Sequence, residues 1–436
     1  MMTEQGKVEE KPRWADLLKA VQQEVRPAIG CTEPVAVALG AAIAARELGK
    51  PVERIEVQVS ANMMKNGMGV MVPGTGMAGL AIAAAAGAIS GDPEGKLEVL
   101  KNQNKADVKR AKQMVAKHKV HLAIAEVPHV LYADVKVFNG SKWARVCIAD
   151  DHTQVVRVER EDEVLYEKRS EESTAESAFS LEGVTASDVY EFATTAPLDT
   201  LRFIVESAKL NDALADEGLK GGYGLHIGAT LQRQSEEGLL ADSLMNRVLL
   251  RTTAASDARM GGASLPAMTN SGSGNQGITA TVPVSVVAQY VQADEETLIR
   301  ALMLSHAMAI YIHSKLPKLS ALCAVSTAAM GAASGMAWLL RKDFGTVSMA
   351  ISSMVGDMVG MICDGASNSC AMKVSTAVSS ACKAVLMALE GTRVTGCEGI
   401  VAEDVDASIA NVGELACKGM VQTDDQILKI MLHKVG

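Results

Sequence analysis

From about residue 184 to the carboxyl terminus, the sequence consists mainly of Ala, Met, Ser and Leu at helical spacing. Glycine-rich stretches at 218–230, 260–277 and 391–398 interrupt the pattern and mark loops between helices. Only 3% of the residues are aromatic, and the chain has 37 Gly and 23 Met. This composition favours close contacts between helices rather than a β-sandwich. The sequence therefore predicts a mainly α-helical domain over residues 169–436.

A different pattern precedes this domain. Four segments rich in β-branched residues, VHLAIAEV, LYADVKVF, WARVCIA and TQVVRVER, follow one another across short turns, and RIEVQVS lies upstream. Alternation of this kind predicts strands, and Asn139-Gly140 is a strong hairpin signal. A polar, acidic stretch at 167–183 resembles a linker. Residues 52–168 are therefore expected to form a small α+β domain.

A chain of 436 residues exceeds the usual size of one hydrophobic core, so two domains are expected. The predicted fold class is α+β, with a mainly α-helical catalytic domain and a smaller α+β domain inserted after the amino-terminal helices. Those helices, in residues 1–51, are expected to pack on the helical domain.

The charge pattern narrows the range of partners. The formal net charge is -9, and no run of Lys and Arg occurs, so a nucleic-acid partner is not expected. The amino terminus is charged and lacks the apolar segment of a signal peptide. The longest apolar run, Met77–Ile89, is too short to cross a bilayer. We expect a cytoplasmic protein without a membrane segment.

Three cysteines of the helical half form a candidate metal-binding set. Cys363 and Cys370 flank the turn DGASNS, and Cys323 lies upstream in LSALCAVST. Three thiolates can hold an iron-sulfur cluster at three irons and leave the fourth iron open as a Lewis acid. The alternative is that Cys323 and Cys370 are buried helix residues, as expected for the other three cysteines of this half.

Cys31 lies in the motif GCTEP, just ahead of a predicted helix with Thr32 as N-cap and Pro34 in the first turn. The free N–H groups of a helix start would lower the pKa of this thiol. Cys31 is therefore a candidate base, nucleophile or ligand, and the alternative is a buried small residue beside the cap. Glu33 would balance the helix dipole.

Two glycine-rich stretches, 72–79 and 268–283, allow the backbone to approach another group closely. Successive N–H groups in such loops bind carboxylate or phosphate, although plain turns are the alternative. Lys65 and Asn66 could also hold a substrate carboxylate. A lysine could instead form an imine with pyridoxal phosphate, but no phosphate-binding signature accompanies it. His306 and His313 are expected to be core or helix-end histidines.

Four motifs in this order, IGCTEPVAVA, MMKNGMGVMVPGTG, TNSGSGNQG and MICDGASNSCAMKV, resemble the L-cysteine desulfidase branch of the iron-sulfur L-serine dehydratase alpha-chain family. The similarity covers nearly the whole chain. It implies a [4Fe-4S] cluster bound by Cys323, Cys363 and Cys370, and an active-site role for Cys31. The Ser-His-Thr segment of bacterial serine dehydratases is absent, and CDGASNSC is shorter than their Cys-Asp-Pro loop, which favours the desulfidase branch.

The expected reaction is α,β-elimination from a small amino acid, with L-cysteine giving pyruvate, ammonia and hydrogen sulfide. The open iron would accept the substrate thiolate, while Cys31 would remove the α-proton or occupy the iron at rest. The residues expected to bind the substrate are Lys65, Asn66, Asn270, Ser271, Gly272, Ser273, Gly274 and Asn275. The alternatives are an L-serine dehydratase with the same cluster and a non-catalytic metal- or redox-sensing protein. The Ala- and Met-rich helices suggest a homodimer.

Overall fold

A computed structural model describes residues 12–168 and 179–434 of the protein. These residues form two large hydrophobic cores and a small third cluster of Cys31, Val70 and Met260. The smaller core lies against a β-sheet near the amino terminus, and helices form the larger core. This architecture confirms the predicted α+β class with a mainly α-helical chain. Residues 169–178 of the predicted linker lie outside the described ranges.

The smaller unit is a six-stranded mixed sheet with helices on one face. The elements of the amino-terminal part are α1 (Pro12–Glu24), β1 (Pro27–Ala28), α2 (Thr32–Leu48), β2 (Arg54–Val59), α3 (Ala61–Gly67), β3 (Met71–Val72), β4 (Met77–Ala78), α4 (Leu80–Ser90), α5 (Lys105–Ala116), β5 (Val120–Ile124), β6 (Tyr132–Asn139), β7 (Lys142–Ala149), β8 (Val155–Arg160) and β9 (Glu163–Glu167). The strand order is β5-β2-β6-β7-β8-β9, in which only β2 and β5 pair in parallel. Strands β5 to β8 match the four predicted segments. The edge strand β9, which was not predicted, has the short sequence EVLYE, and its residues are mostly exposed.

The larger unit is helical. Its elements are α6 (Ala186–Thr195), α7 (Leu198–Leu201), α8 (Val205–Leu219), α9 (Ile227–Glu236), α10 (Leu244–Met260), β10 (Ala267–Met268), α11 (Gly274–Tyr290), α12 (Glu295–His313), α13 (Val325–Arg341), α14 (Phe344–Met358), α15 (Cys370–Leu389), α16 (Val405–Glu414) and α17 (Val421–Lys434). Helix α13 packs against α11, α12, α14 and α15 and so forms the centre of this unit. The short strand β10 pairs with β1, which links the amino-terminal segment to the helices.

The two amino-terminal helices, α1 and α2, pack against different cores. Helix α1 packs on α6 and α12 of the helical unit, where Trp14 meets Phe192 edge to face. Helix α2 was also expected there, and that expectation is wrong, because α2 packs on α4, β6 and β7. It is apolar on almost every side, so it needs cover on all faces, and the sheet and α4 together provide it. The smaller unit therefore begins near residue 32 rather than residue 52.

Helix α15 is long and apolar enough, by length and composition alone, to cross a membrane. About half of its most apolar stretch is buried inside the protein, where it contacts α10, α13 and α14. Helix α15 is therefore a core helix of the helical unit.

Close packing of α12 and α13 leads to a stability prediction. A Cβ atom on Gly331 would stand 2.3 Å from the carbonyl oxygen of Ser305, on the rigid backbone of α12. In an exposed helix, Gly→Ala would gain about 1 kcal/mol, but overpacking of this kind costs about 1–3 kcal/mol or more. We expect Gly331→Ala to lower the free energy of unfolding by about 2 kcal/mol, measured by thermal and urea denaturation.

The matched control is Gly360→Ala. A Cβ atom there meets nothing within 4 Å, so this variant should melt within about a degree of the wild type. Equal melting temperatures for the two variants would contradict the close packing.

Candidate active site

A cavity of about 110 Å³ lies where the two units meet. The small unit contributes the start of α2, the end of α3 and the turn between β7 and β8. The helical unit contributes the end of α10, the 271–276 turn, the 317–325 segment and the 363–373 segment. Neither unit alone encloses the cavity, so its residues come together only in the complete fold.

Four helices begin at this cavity, and none has a capping side chain at its N-cap residue. The N-cap residues are Cys31 for α2, Ser273 for α11, Ala324 for α13 and Ser369 for α15. In contrast, α3, α5, α6, α10, α12, α14 and α16 each start with a Ser, Thr, Asp or Asn side chain bound to a backbone N–H. The first N–H groups of α13 and α15 bond to carbonyls of the preceding turn, as Ser326 N–H does to Cys323 O at 3.0 Å and Cys370 N–H does to Ser367 O at 2.9 Å. The helix dipole nevertheless makes each of the four ends favourable for negative charge, by about 0.3–1 kcal/mol per end. The cavity is thus suited to anionic groups.

The structure brings Cys323, Cys363 and Cys370 to one cavity. Cys323 and Cys363 lie on two antiparallel segments, because Cys323 N–H donates to Met361 O at 2.9 Å and Cys363 N–H donates to Ala321 O at 2.7 Å. Cys370 is the first residue of α15, and its sulfur accepts the N–H of Ser367 at 3.5 Å. Three thiols from two segments that are about forty residues apart in the sequence therefore share one wall.

The pKa values of these thiols depend on their burial and on the neighbouring thiols. Burial raises the pKa of Cys323 to about 12, the nearby Cys363 adds to that rise, and the Val325 N–H opposes it. Burial also raises the pKa of Cys370, against the N–H of Ser367 and the charge of Lys373. Of the remaining cysteines of this half, Cys382 is buried as expected, but Cys397 and Cys417 are exposed, which corrects the expectation for these two.

Cys31 also lines the cavity, but its pKa shifts opposite to the prediction. The thiol is buried beside Met260, with the two sulfurs 3.9 Å apart. Burial raises the pKa of Cys31 to about 12, more than the nearby Arg259 lowers it. The predicted helix start was also off by one residue, because Cys31 is the N-cap, and the Thr32 hydroxyl donates to Gly272 O at 2.8 Å.

The predicted substrate loop forms a tight turn at the start of α11. Asn270 and Ser273 exchange backbone hydrogen bonds, with Ser271 and Gly272 between them at φ +47° and +78°. Left-handed backbone at two successive positions favours glycine, so Gly272 suits this turn. Ser271, Gly272, Ser273 and Asn275 line the cavity.

The two other residues of this loop support it from behind. Asn270 is fully buried, and its amide nitrogen donates to His306 O at 3.2 Å and contacts His306 Nδ1 at 3.1 Å. Burial lowers the pKa of His306 to about 3, so it is a neutral core histidine. Gly274 lies against Arg259, where a Cβ would come within 2.2 Å of Nε. His313 is likewise buried.

Asn66 lines the cavity, but Lys65 does not. The Lys65 side chain is 1% exposed, and its ammonium group pairs with Asp424 of α17. It also donates to the backbone carbonyls of Cys363 and Ser320, at 3.4 and 3.5 Å. Lys65 therefore connects α3, α17 and the segments that carry the thiols, and its contact with a substrate carboxylate stays a prediction.

Further polar residues of the cavity were not predicted as site residues. They are Glu33, His152, Arg259, Gln276, Lys318 and Lys373. Arg259 Nη2 donates to Gly30 O at 3.1 Å, whereas its buried Nε has no partner among the described residues. Burial lowers the pKa of His152, whose Nε2 is also buried without a partner in the described chain. Buried polar atoms normally have partners, so these atoms indicate a ligand. No local motif marks His152 or Arg259, and only the fold reveals them.

The Lys65–Asp424 pair gives the second prediction. Asp424→Asn should leave the Lys65 ammonium buried without a countercharge and reduce the free energy of unfolding by about 3 kcal/mol. Adding Lys65→Met to that variant should recover at least half of the loss, because an apolar side chain needs no countercharge. Urea denaturation followed by circular dichroism measures both effects.

A matched control is the exposed pair of Lys418 and Glu414. Glu414→Gln should change the free energy of unfolding by less than about 1 kcal/mol. If Asp424→Asn changed the free energy of unfolding as little as this control, the buried Lys65 ammonium would not need Asp424 as its countercharge.

Comparison with known proteins supports the family that the sequence motifs resemble. The family described as serine dehydratase alpha chain matches residues 94–429. The UPF0597 protein of Chromobacterium violaceum is 64% identical over 421 residues, covering 97% of this chain and 98% of the relative. The UPF0597 protein YhaM of Escherichia coli O157:H7 is 58% identical over 427 residues, covering 97% and 98%. The UPF0597 protein of Actinobacillus pleuropneumoniae serotype 3 is 57% identical over 420 residues, covering 96% and 97%. The chain therefore belongs to the serine dehydratase alpha chain family.

Proposed function

We propose that this protein is an iron-sulfur lyase that converts L-cysteine to pyruvate, ammonia and hydrogen sulfide by α,β-elimination. Membership of the serine dehydratase alpha chain family indicates a lyase-type enzyme of amino-acid catabolism. The observation that carries the finer proposal is the placement of Cys323, Cys363 and Cys370 on one cavity that four uncapped helix starts surround.

Three thiols on one cavity wall are a donor set that suits a [4Fe-4S] cluster. Among residues 12–168 and 179–434, no three His, Cys, Asp or Glu side chains are placed to hold one metal ion. A cluster takes each thiolate at a different iron, so its ligands stand farther apart than those of one ion. Burial and the neighbouring thiols raise the pKa of Cys323 and Cys370, and coordination removes this penalty because a coordinated thiol is deprotonated. Cys323, Cys363 and Cys370 would hold the cluster.

A bound cluster would supply a Lewis-acidic iron for the leaving group. The chain itself would orient the substrate. The uncapped start of α11 presents free N–H groups beside Asn275 and the unpaired Nε of Arg259. These donors suit the substrate carboxylate and keep it at a fixed position relative to the thiol wall.

Two side chains of the cavity could transfer a proton. The predicted base, Cys31, has a pKa raised to about 12, so its thiol is protonated near neutral pH. His152 has a lowered pKa, and its Nε2 is unpaired, so it is a neutral imidazole that can accept a proton. We assign removal of the α-proton to His152 and leave Cys31 as a proton donor or a ligand of the resting cluster.

L-Serine is the second candidate substrate, and the description of the matched family favours it. A hydroxide leaving group binds less well to iron in a sulfur-rich site than a thiolate does, which favours L-cysteine. A non-catalytic sensor would bind iron without turnover. The eight free cysteines agree with the proposed cytoplasmic location. The homodimer stays a prediction.

The third prediction concerns the cluster. Protein purified without oxygen should be brown and form pyruvate from L-cysteine, whereas Cys323→Ser, Cys363→Ser and Cys370→Ser should each lose most of the bound iron. Cys397→Ser, at an exposed cysteine, is the control and should keep it. Iron and sulfide analysis and the visible absorption spectrum measure the outcome.

Iron in the wild type without pyruvate from L-cysteine or L-serine would favour the sensor. Unchanged iron in all three variants would exclude these thiols as ligands.

The fourth prediction separates the two proton-transfer candidates. His152→Asn should lower kcat by about 10²–10⁴-fold, with bound iron unchanged. Because burial lowers the pKa of His152, the acidic limb of the kcat/KM profile should lie below pH 6.5 in the wild type and be absent from the residual activity of the variant. If Cys31→Ser abolished turnover while His152→Asn kept the acidic limb, Cys31 would be the base.

A further inference from the structure

Glu33 is a buried carboxyl group on the cavity wall, and it makes no ion pair in the part of the chain that the structure describes. It is 8% exposed. The amide nitrogen of Asn66 donates to its Oε1 at 3.2 Å, whereas the Thr32 hydroxyl, 3.4 Å from Oε2, donates to Gly272 O at 2.8 Å. Balancing the dipole of α2 requires no contact with the cavity. A buried carboxylate normally has a cationic partner, so the position of Glu33 points to a cation in the cavity.

Two amide oxygens accompany this carboxyl group. Asn66 Oδ1 and Gln276 Oε1 are buried without a partner among the described residues. Their orientations are fixed, because Asn66 Nδ2 donates to Glu33, and Gln276 Nε2 donates to Ser271 O at 3.3 Å. Carboxylate and carbonyl oxygens only accept hydrogen bonds, so each amide must turn its nitrogen towards them and leave its oxygen free. The cavity therefore has three groups that can accept a further hydrogen bond, namely the two free amide oxygens and the Glu33 carboxylate, whose Oε1 already accepts from Asn66.

The same cavity has unused donors. The first N–H groups of α11 have no side-chain cap, and Arg259 Nε is unpaired. A small molecule that satisfies both the unused donors and the unused acceptors must carry a negative group and a positive group.

We propose that Glu33, Asn66 and Gln276 form a subsite for a primary ammonium group, which for this protein is the α-ammonium of an amino acid. A primary ammonium has three N–H donors, which matches three acceptor groups. One carboxylate beside two neutral amides also balances a single positive charge. The subsite rests on the proposed function only in the choice of an α-amino acid as the ligand.

The test uses a pair of unreactive ligands, L-alanine and propionate. Propionate keeps the carboxylate and the carbon chain but lacks the ammonium group, and neither molecule has a leaving group. Binding of each to the full chain, purified without oxygen, is measured by calorimetry. We expect the wild type to bind L-alanine at least 10-fold more tightly. Glu33→Gln should weaken the binding of L-alanine about 10- to 100-fold, because a hydrogen bond to a charged group is lost. The affinity for propionate should stay unchanged.

The control is Glu47→Gln, the same change at the far end of α2, which should alter neither affinity. Equal weakening of both ligands by Glu33→Gln, or no weakening, would overturn the subsite. If Glu33→Gln did not fold, the wild type alone would decide, since equal affinities for L-alanine and propionate would also overturn it. These measurements need no turnover, so an absence of pyruvate from L-cysteine would count against the proposed reaction and not against the subsite.

Discussion

The convergence of four uncapped helix starts on one cavity is the constraint on which the site depends. Each helix start directs the positive end of its dipole at the cavity, although the first N–H groups of α13 and α15 bond to carbonyls of the preceding turn. Seven other helices begin with a side-chain cap, whereas α4, α7, α8 and α9 also begin without one. Unsatisfied donors in the cavity therefore allow it to bind negatively charged groups, such as thiolates and a carboxylate.

The site also depends on contacts that join the two units. The Thr32 hydroxyl binds the turn at Gly272, so the start of α2 and the start of α11 keep a fixed relation. Lys65 binds Asp424 and the carbonyl of Cys363, so α3 and α17 fix the position of one thiol segment from behind. Gly272 lines the cavity, whereas Thr32 and Lys65 do not. Motif residues such as Lys65 can therefore position the site without lining the cavity.

The cavity contains both unused hydrogen-bond donors and unused hydrogen-bond acceptors. The unused donors are the first N–H groups of α11 and Arg259 Nε, and the unused acceptors are the amide oxygens of Asn66 and Gln276, which lie beside the Glu33 carboxylate. A cavity that bound only an anion would have no need of the acceptors. The two sets together match a zwitterion, and the thiols provide a third region with softer chemistry.

Much of the architecture follows from the sequence, because periodicity and turn residues act locally. The helical half, the strands β5 to β8 and the thiol and turn motifs could all be placed in this way. The sequence could not determine the partner of Lys65, which is Asp424, far away in the chain. Nor could it give the sign of the Cys31 pKa shift, since the helix start lowers that pKa while burial raises it by more. His152 and Arg259 carry no local signature. The sequence alone determined which segments would be helices and strands and which motifs could carry chemistry. Only the tertiary structure decided which of these side chains meet, because burial and long-range contacts exist only once the two units have packed together.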